Sequence, residues 1–360
     1  MGLWAWIVDK LTEEAPASRR TPPHPTASTS PSYGGETTAT AVLTPGDDSG
    51  SQEEDRDRPC WWAPEGDTVL EPPPVQRPEL STDARALENL LVSHFDGHDL
   101  KMPPLMHVAE RVLTQLRKKN SGMGTVARVI AEDQVVAAGV LRMANSPLYR
   151  GLNKITALQP ALTRLGVRAI RTLMMHQSLH SALFQGTGWS AELARVLWER
   201  SLAGACVMRG LSKFTAVECE EAHLIGLLHD IGSVIVLRVA HDDQVFTHYD
   251  MDAETFEYLC FECHQEFGEL IAEAWQLPEN LKALIADHHA FPLPGDPLRT
   301  ERLQLQLTDM ILSLLGYAVH VPYDLLRTRV VSELGLDERP GFIDFLEKLP
   351  DDLDETIGSL

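Results

Sequence analysis

The sequence predicts an all-α fold, carried by the part of the chain after residue 82, and three observations predict it. Beyond residue 82, apolar side chains recur at three- and four-residue spacing through almost every segment, the period of one helix face. The breaks between these segments are short, and the one β-branched run, "SVIVLRV" (233–239), lies between helical neighbours and is read as helix. The first 82 residues differ in kind. They hold twelve of the 23 prolines and few apolar side chains, too few to offset the entropy of ordering a chain.

The elements follow in order. "ARALENLLVSHF" (84–95) places Leu87, Leu90, Leu91 and Phe95 at helical spacing. "MPPLMHVAERVLTQLRKK" offers prolines for a first turn, then Leu105, Val108, Ala109, Val112, Leu113 and Leu116. "TVARVIAEDQVVAAGVLRMANSPLY" reads as two helices, hinged near Asp133 and ended before Pro147. "ITALQPALTRLGVRAIRTLMMHQSLHSALF" gives two more, broken at Gly166. "WSAELARVLWERSLAGACVMRGL" is one long helix with Ser190 as its N-cap. Helical runs over 218–231, 253–275, 279–289, 300–317 and 323–334 complete the series. Trp189, Trp198 and Trp275 fall at core positions.

These elements divide the chain into a short amphipathic segment (1–13), a disordered Pro/Ser/Thr/acidic linker (14–82), an N-terminal helical lobe (83–186), a second lobe (187–317) and a helical extension (318–360). The lobes meet near residues 184–190. The linker has one sticky island, "CWWAPEG" at 60–66.

The formal net charge is −21 and the pI about 5.0, which repels phosphate backbones, so no direct nucleic-acid binding is expected. Acid is spread along the chain: residues 1–82 carry 6 basic and 14 acidic side chains, and residues 83–360 carry 25 and 38. The densest basic cluster, Arg117-Lys118-Lys119, sits at a helix C-terminus, where the helix dipole favours positive charge. Five cysteines, an odd number in a long chain, fit a reducing, cytoplasmic compartment better than a disulfide framework. No apolar run approaches the ~20 residues of a membrane span. The start, "MGLWAWIVDKLTEE", lacks the basic residue of a signal peptide, and Asp9 ends its apolar stretch.

The chemically pointed stretch is "GLLHDIG" (226–232), an adjacent His229 and Asp230 ending an apolar run. Around it stands an ordered set: "MPPLMHVAERVL", "VARVIAEDQVVAAGVLRMANSPLY" with its Asn145-Ser146 turn, "ITALQPALTRLGVRAIRTLMM", "LWERSLAGA", "GLLHDIGSVIVL" and "WQLPENLKALIADHH". Together these resemble the HDOD family, a bacterial relative of the HD-domain metal phosphohydrolases. Gln134 departs from the proline usual there. The resemblance implies a helical fold and a regulatory role, usually without catalysis.

It also implies where metal ligands would lie. Adjacent helical residues project about 100° apart, so His229 and Asp230 share an ion only if it sits between them and other helices add ligands. The downstream candidates are His264, His288, His289 and Asp309. The upstream histidine of active relatives belongs in "LWERSLAGA", where Arg200 stands 29 residues before His229. Arginine cannot ligate, because it stays protonated and has no acceptor. The register therefore predicts that the Arg200 guanidinium takes the cation's place and pairs with Asp230. A one-turn slip would bring Glu199 in as an oxygen ligand instead. Ser233 replaces the lysine that follows His-Asp-Ile-Gly in many active relatives, and the Gly-Tyr-Pro signature of cyclic-dinucleotide phosphodiesterases is absent. Without metal, His229 and Asp230 would sit at a helix C-terminus closed by Gly232.

"CFECH" (260–264) matches the pattern of covalent haem attachment, but it reads as helix interior, with Phe256, Leu259, Cys260, Cys263 and Phe267 near one face. The expectation is a non-catalytic signal-transduction module that binds a protein partner, with no cofactor and no catalytic residue, and with the His/Asp set as a vestigial site. The alternative is an HD-type phosphohydrolase on nucleotides or cyclic dinucleotides, using Fe, Mn or Zn.

Overall fold

The computed structural model describes residues 77–358, apart from 98–101, 119–121, 147, 150, 185–188, 243–252, 319–322 and 338. The amphipathic segment 1–13 and the linker up to residue 76, with its "CWWAPEG" island, lie outside the described residues. The last linker residues belong to the fold: Leu80 is buried, and the Ser81 hydroxyl accepts from the Ala84 N–H at 3.1 Å to cap the first helix.

All regular structure among the described residues is helical. In chain order the helices are α1 (Thr82–Gly97), α2 (His107–Arg117), α3 (Met123–Ile130), α4 (Gln134–Asn145), α5 (Leu158–Leu183), α6 (Trp189–Leu211), α7 (Cys219–Leu228), α8 (Ser233–Asp242), α9 (Ala253–Ala274), α10 (Glu279–Ala286) and α11 (Arg299–Leu314). A 3₁₀ turn (Leu325–Arg327), α12 (Arg329–Leu334) and α13 (Phe342–Gly358) follow. The β-branched run 233–239 is helical, in α8.

Local chemistry explains most boundaries. The Asp133 carboxylate accepts from the Val135 and Val136 N–H groups, so the hinge is an N-cap. Gly166 breaks α5 with φ 74 and ψ 173, a conformation that glycine adopts without strain. Two expected caps differ. Pro103 and Pro104 precede α2 rather than open it: the Pro103 carbonyl instead accepts from Trp275 Nε1–H at 2.8 Å. α6 begins at Trp189, so Ser190 lies inside its first turn. Arg117, at the end of α2, donates to the Gln276 side chain and carbonyl at 2.9 and 2.8 Å, tying α2 to the Trp275 loop.

One apolar core takes Leu87, Val112, Val140 and Met174 from before residues 184–190, and Leu228, Ile271 and Ile285 from after them. Trp198 and Trp275 are buried in it. A second core packs Val207 and Leu211 of α6 against Ile311 of α11 and Phe342 and Leu346 of α13. α6 therefore serves both cores. Cys219–His241 is apolar and long enough to cross a membrane, contrary to the sequence expectation, but 89 % of its 18-residue apolar window is buried inside the protein and a turn at 229–232 divides it.

The Asn145-Ser146 turn locks the end of α4. Asn145 Nδ2 donates to the Leu141 and Ile155 carbonyls, and its Oδ1 accepts from the Ile155 N–H, each at 2.8 Å. Ser146 Oγ donates back to the Met143 carbonyl at 2.8 Å. Asn145→Ala is expected to cost about 1–3 kcal/mol, because part-buried backbone groups lose their partners. Asn145→Asp should do no better, since it loses both donated bonds. Urea midpoints check this; an aspartate variant as stable as wild type would refute it.

Candidate metal centre

The site is assembled where helices approach closely enough for backbone to touch backbone. On α6, Arg200 and Gly204 are four residues apart and share a face. A Cβ on Gly226 of α7 would lie 2.3 Å from the Gly204 carbonyl oxygen. On α9, His264 and Gly268 repeat this spacing, and a Cβ on Gly232 would lie 2.0 Å from the His264 oxygen and 2.6 Å from the Gly268 nitrogen. Each glycine pair lets the polar residue one turn earlier reach the centre.

Between α7 and α8 the chain makes a tight turn of i-to-i+3 bonds: Ile231 to Leu228, Ser233 to Asp230, Val234 to Ile231 and Ile235 to Gly232, at 2.9–3.1 Å. Gly232 is thus not the left-handed helix stop expected from the sequence; φ is not positive there, and the residue is small because α9 lies against it. The turn aims His229 and Asp230 inward, and both are buried.

The six predicted residues converge. His229 Nε2 is 3.1 Å from Asp309 Oδ1 and 3.4 Å from Asp230 Oδ2. Asp230 Oδ1 is 3.4 Å from His264 Nε2 and 3.7 Å from His288 Nε2. Asp309 Oδ2 is 3.9 Å from His288 Nε2 and 4.0 Å from His289 Nδ1. His264, His288 and His289 each offer a nitrogen within 4.8 Å of the others.

Arg200 enters this centre. Its Nε lies 2.7 Å from Asp230 Oδ2, and its Nη1 donates to Glu257 Oε1 at 2.8 Å. Glu199, the alternative ligand, instead pairs with Arg195 at 2.5 Å. Glu257 is the site residue that the motif reading missed. It stands seven residues before His264, hence on the same face of α9, and a buried acid amid "FEYLCFECH" was its only sequence signal.

Burial works against every charge here, and the neighbours decide the outcome. For Asp230 burial is overcome by Arg200, His229 and His264, which hold its carboxyl well below the usual range. For His229 burial is overcome by Asp230 and Asp309, which push it up to about 10. Burial, reinforced by His289, keeps His288 neutral, well below the usual histidine value. Glu257 is raised by burial, with Arg200 opposing.

The hydrogen bonds fix which ring nitrogens hold lone pairs. Nδ1 of His264 faces the Phe261 and Cys260 carbonyls at 2.8 and 3.1 Å, and Nδ1 of His288 faces the Ile285 carbonyl at 3.2 Å. Each Nδ1 therefore donates, and when both rings are neutral their lone pairs are on Nε2. Those two Nε2 atoms lie 3.1 Å apart, and His289 Nε2 is also 3.1 Å from His264 Nε2. Facing lone pairs repel unless a proton or a cation lies between them. Asp309 adds Oδ2, a buried oxygen with no hydrogen-bond partner. The His264, His288, His289 and Asp309 side thus fits one ion of the kind that imidazole and carboxylate bind. The Asp230 side does not fit a second, because the guanidinium already stands there. "CFECH" is helix interior in α9: Cys260 is buried, and His264 turns into the centre.

A helical bundle with a His-Asp turn between two buried helices, ringed by histidines from two other segments and an aspartate from a third, defines an HD-type helical protein. The chain belongs to the HDOD domain family, matched over residues 102–291. Two solved structures share the fold. A protein of Shewanella amazonensis named "Putative metal-dependent phosphohydrolase" has a TM-score of 0.60 and 18 % identity, covering 76 % of this chain and 100 % of that one. A Marinobacter aquaeolei protein named "Putative signal transduction protein" has a TM-score of 0.52 and 21 % identity, covering 77 % and 66 %. At such identities the likeness is one of fold alone. An uncharacterized protein of Treponema pallidum is 24 % identical over 224 residues, 59 % of this chain; the chain spans 42 % of that relative's length.

Proposed function

We propose that this chain is a non-catalytic regulatory module that acts in a cytoplasmic signalling pathway by binding a protein partner. The observation that carries this reading is Arg200, clamped between Asp230 and Glu257 where an HD phosphohydrolase would place a metal-bound histidine. A fixed positive charge there repels a cation and leaves Asp230 committed to an ion pair. The −21 net charge supports a protein partner over a nucleic acid.

A second reading rests on the facing lone pairs of His264 and His288. They favour one Fe, Mn or Zn ion held by His264, His288, His289 and Asp309, in a phosphohydrolase on nucleotides or cyclic dinucleotides. Such an ion would supply an acidified water. In that reading, the Phe261 and Ile285 carbonyls orient the His264 and His288 rings, and Arg200 balances Asp230.

Elemental mass spectrometry of untagged protein, paired with assays on cyclic dinucleotides and nucleotides in Mn²⁺, separates the two. The expected result is at most one equivalent of metal and no turnover. Turnover abolished by His264→Ala would overturn the regulatory reading. Arg200→His is expected to raise the metal content, because it replaces a repelling charge with a ligand.

A further inference from the structure

The described chain begins at Arg77, four residues before the Ser81 cap of α1. Arg77 Nη2 nevertheless reaches Glu88 Oε1 and Oε2 at 2.9 and 2.8 Å. Had residues 77–81 run straight off the helix, Arg77 would stand about 13 Å beyond its start and Glu88 about 10 Å inside it. An arginine and a glutamate side chain do not span the sum. The chain therefore folds back along α1, and Arg85 Nε holds it there through the Leu80 carbonyl at 3.3 Å.

The path enters a groove between α1 and α9. Tyr258 of α9 lies beside Glu262, Arg77 and Glu88, and the half-buried Cys263 lies near Glu88 and Glu262. Further along, Phe95 meets the buried Phe267 edge-on, with centroids 6.0 Å apart. Glu88, Val92 and Phe95 follow at i, i+4 and i+7, one stripe of α1. Val92 and Phe95 are 54 % and 41 % exposed, so the groove continues as an open apolar surface past the point where Arg77 sits.

We propose that Pro72-Pro73-Pro74-Val75-Gln76 lies in this groove over Val92, Cys263 and Phe95, and so anchors the acidic N-terminal region to the α1/α9 face. Direction, length and chemistry agree. Residues 77–81 run back along α1 as far as Glu88, so the segment that precedes Arg77 starts beside this stripe. From Glu88 to Phe95 is about 10 Å of helix, and five residues of polyproline II span about 15 Å. The segment carries no charge to oppose Glu262 and Glu266, and three consecutive prolines lose little freedom on docking against aromatic rings.

The test uses the full chain with Phe95, or in a second variant Val92, replaced by photoreactive p-benzoylphenylalanine. After irradiation of the purified protein, the expected adduct is intrachain and maps to residues 71–76. An adduct on the Trp61-Trp62 island, an adduct between two copies, or none would overturn the proposal. Replacing Pro72–Val75 with Gly-Ser-Gly-Ser in the full chain should also speed alkylation of Cys263 several-fold. An unchanged rate would show that nothing covers the groove.

Discussion

Arg200→Met is expected to destabilise the protein by about 3–5 kcal/mol, because it removes the guanidinium that two buried carboxylates share. Arg200, Asp230 and Glu257 are all under a tenth exposed, so solvent cannot take over the lost role. The pair need not add much to stability as such; the cost comes from what breaking it leaves behind. Adding Glu257→Gln to Arg200→Met should therefore recover part of the loss, since one uncompensated charge disappears. The pH dependence carries a definite sign. In the wild type Asp230 is held below its ordinary value, so its contribution is present above the unfolded value of ~3.9 and is lost as pH falls through the folded one. The variant lacks that contribution, so the two stability curves should converge on acidification. Urea denaturation at neutral and acidic pH measures both effects, and a gap that widens with acid would contradict the assignment.

Gly232→Ala is expected to cost at least about 3 kcal/mol, or to prevent folding. The new methyl would meet the His264 oxygen at 2.0 Å and the Gly268 nitrogen at 2.6 Å. Both are backbone atoms of α9, so no side chain can swing aside. The helix must move, and it carries His264 and Glu257 with it. Gly122→Ala is the control: nothing lies within 4 Å of its Cβ position and φ is −81, so it should cost no more than the ~1 kcal/mol of a poorer N-cap. Comparable midpoints for the two variants would show that α9 does not press on the turn.

Much of the fold was legible from periodicity. The α3–α4 hinge at Asp133 and the Gly166 break are local events, written in a capping carboxylate and in a residue that tolerates positive φ. The prolines before α2 and the role of Gly232 were misread for one reason. The prolines looked like a helix start and Gly232 like a helix end, and each is set by a partner distant in sequence: Trp275 for Pro103, and α9 for Gly232.

By itself, the sequence determined an all-α chain with a chemically distinct first 82 residues, the family, and the six residues of the HD set. It also pointed to Arg200 as the partner of Asp230, because register counted from His229 is one-dimensional information. Only the tertiary structure decided that Glu257 completes the guanidinium's clamp, that Glu199 turns away to Arg195, and that the Nε2 atoms of His264 and His288 face each other. A helical period says which face a residue shares. The approach of a second helix decides what that face meets, and here glycines at 204, 226, 232 and 268 set that approach, being the residues small enough for backbones to touch.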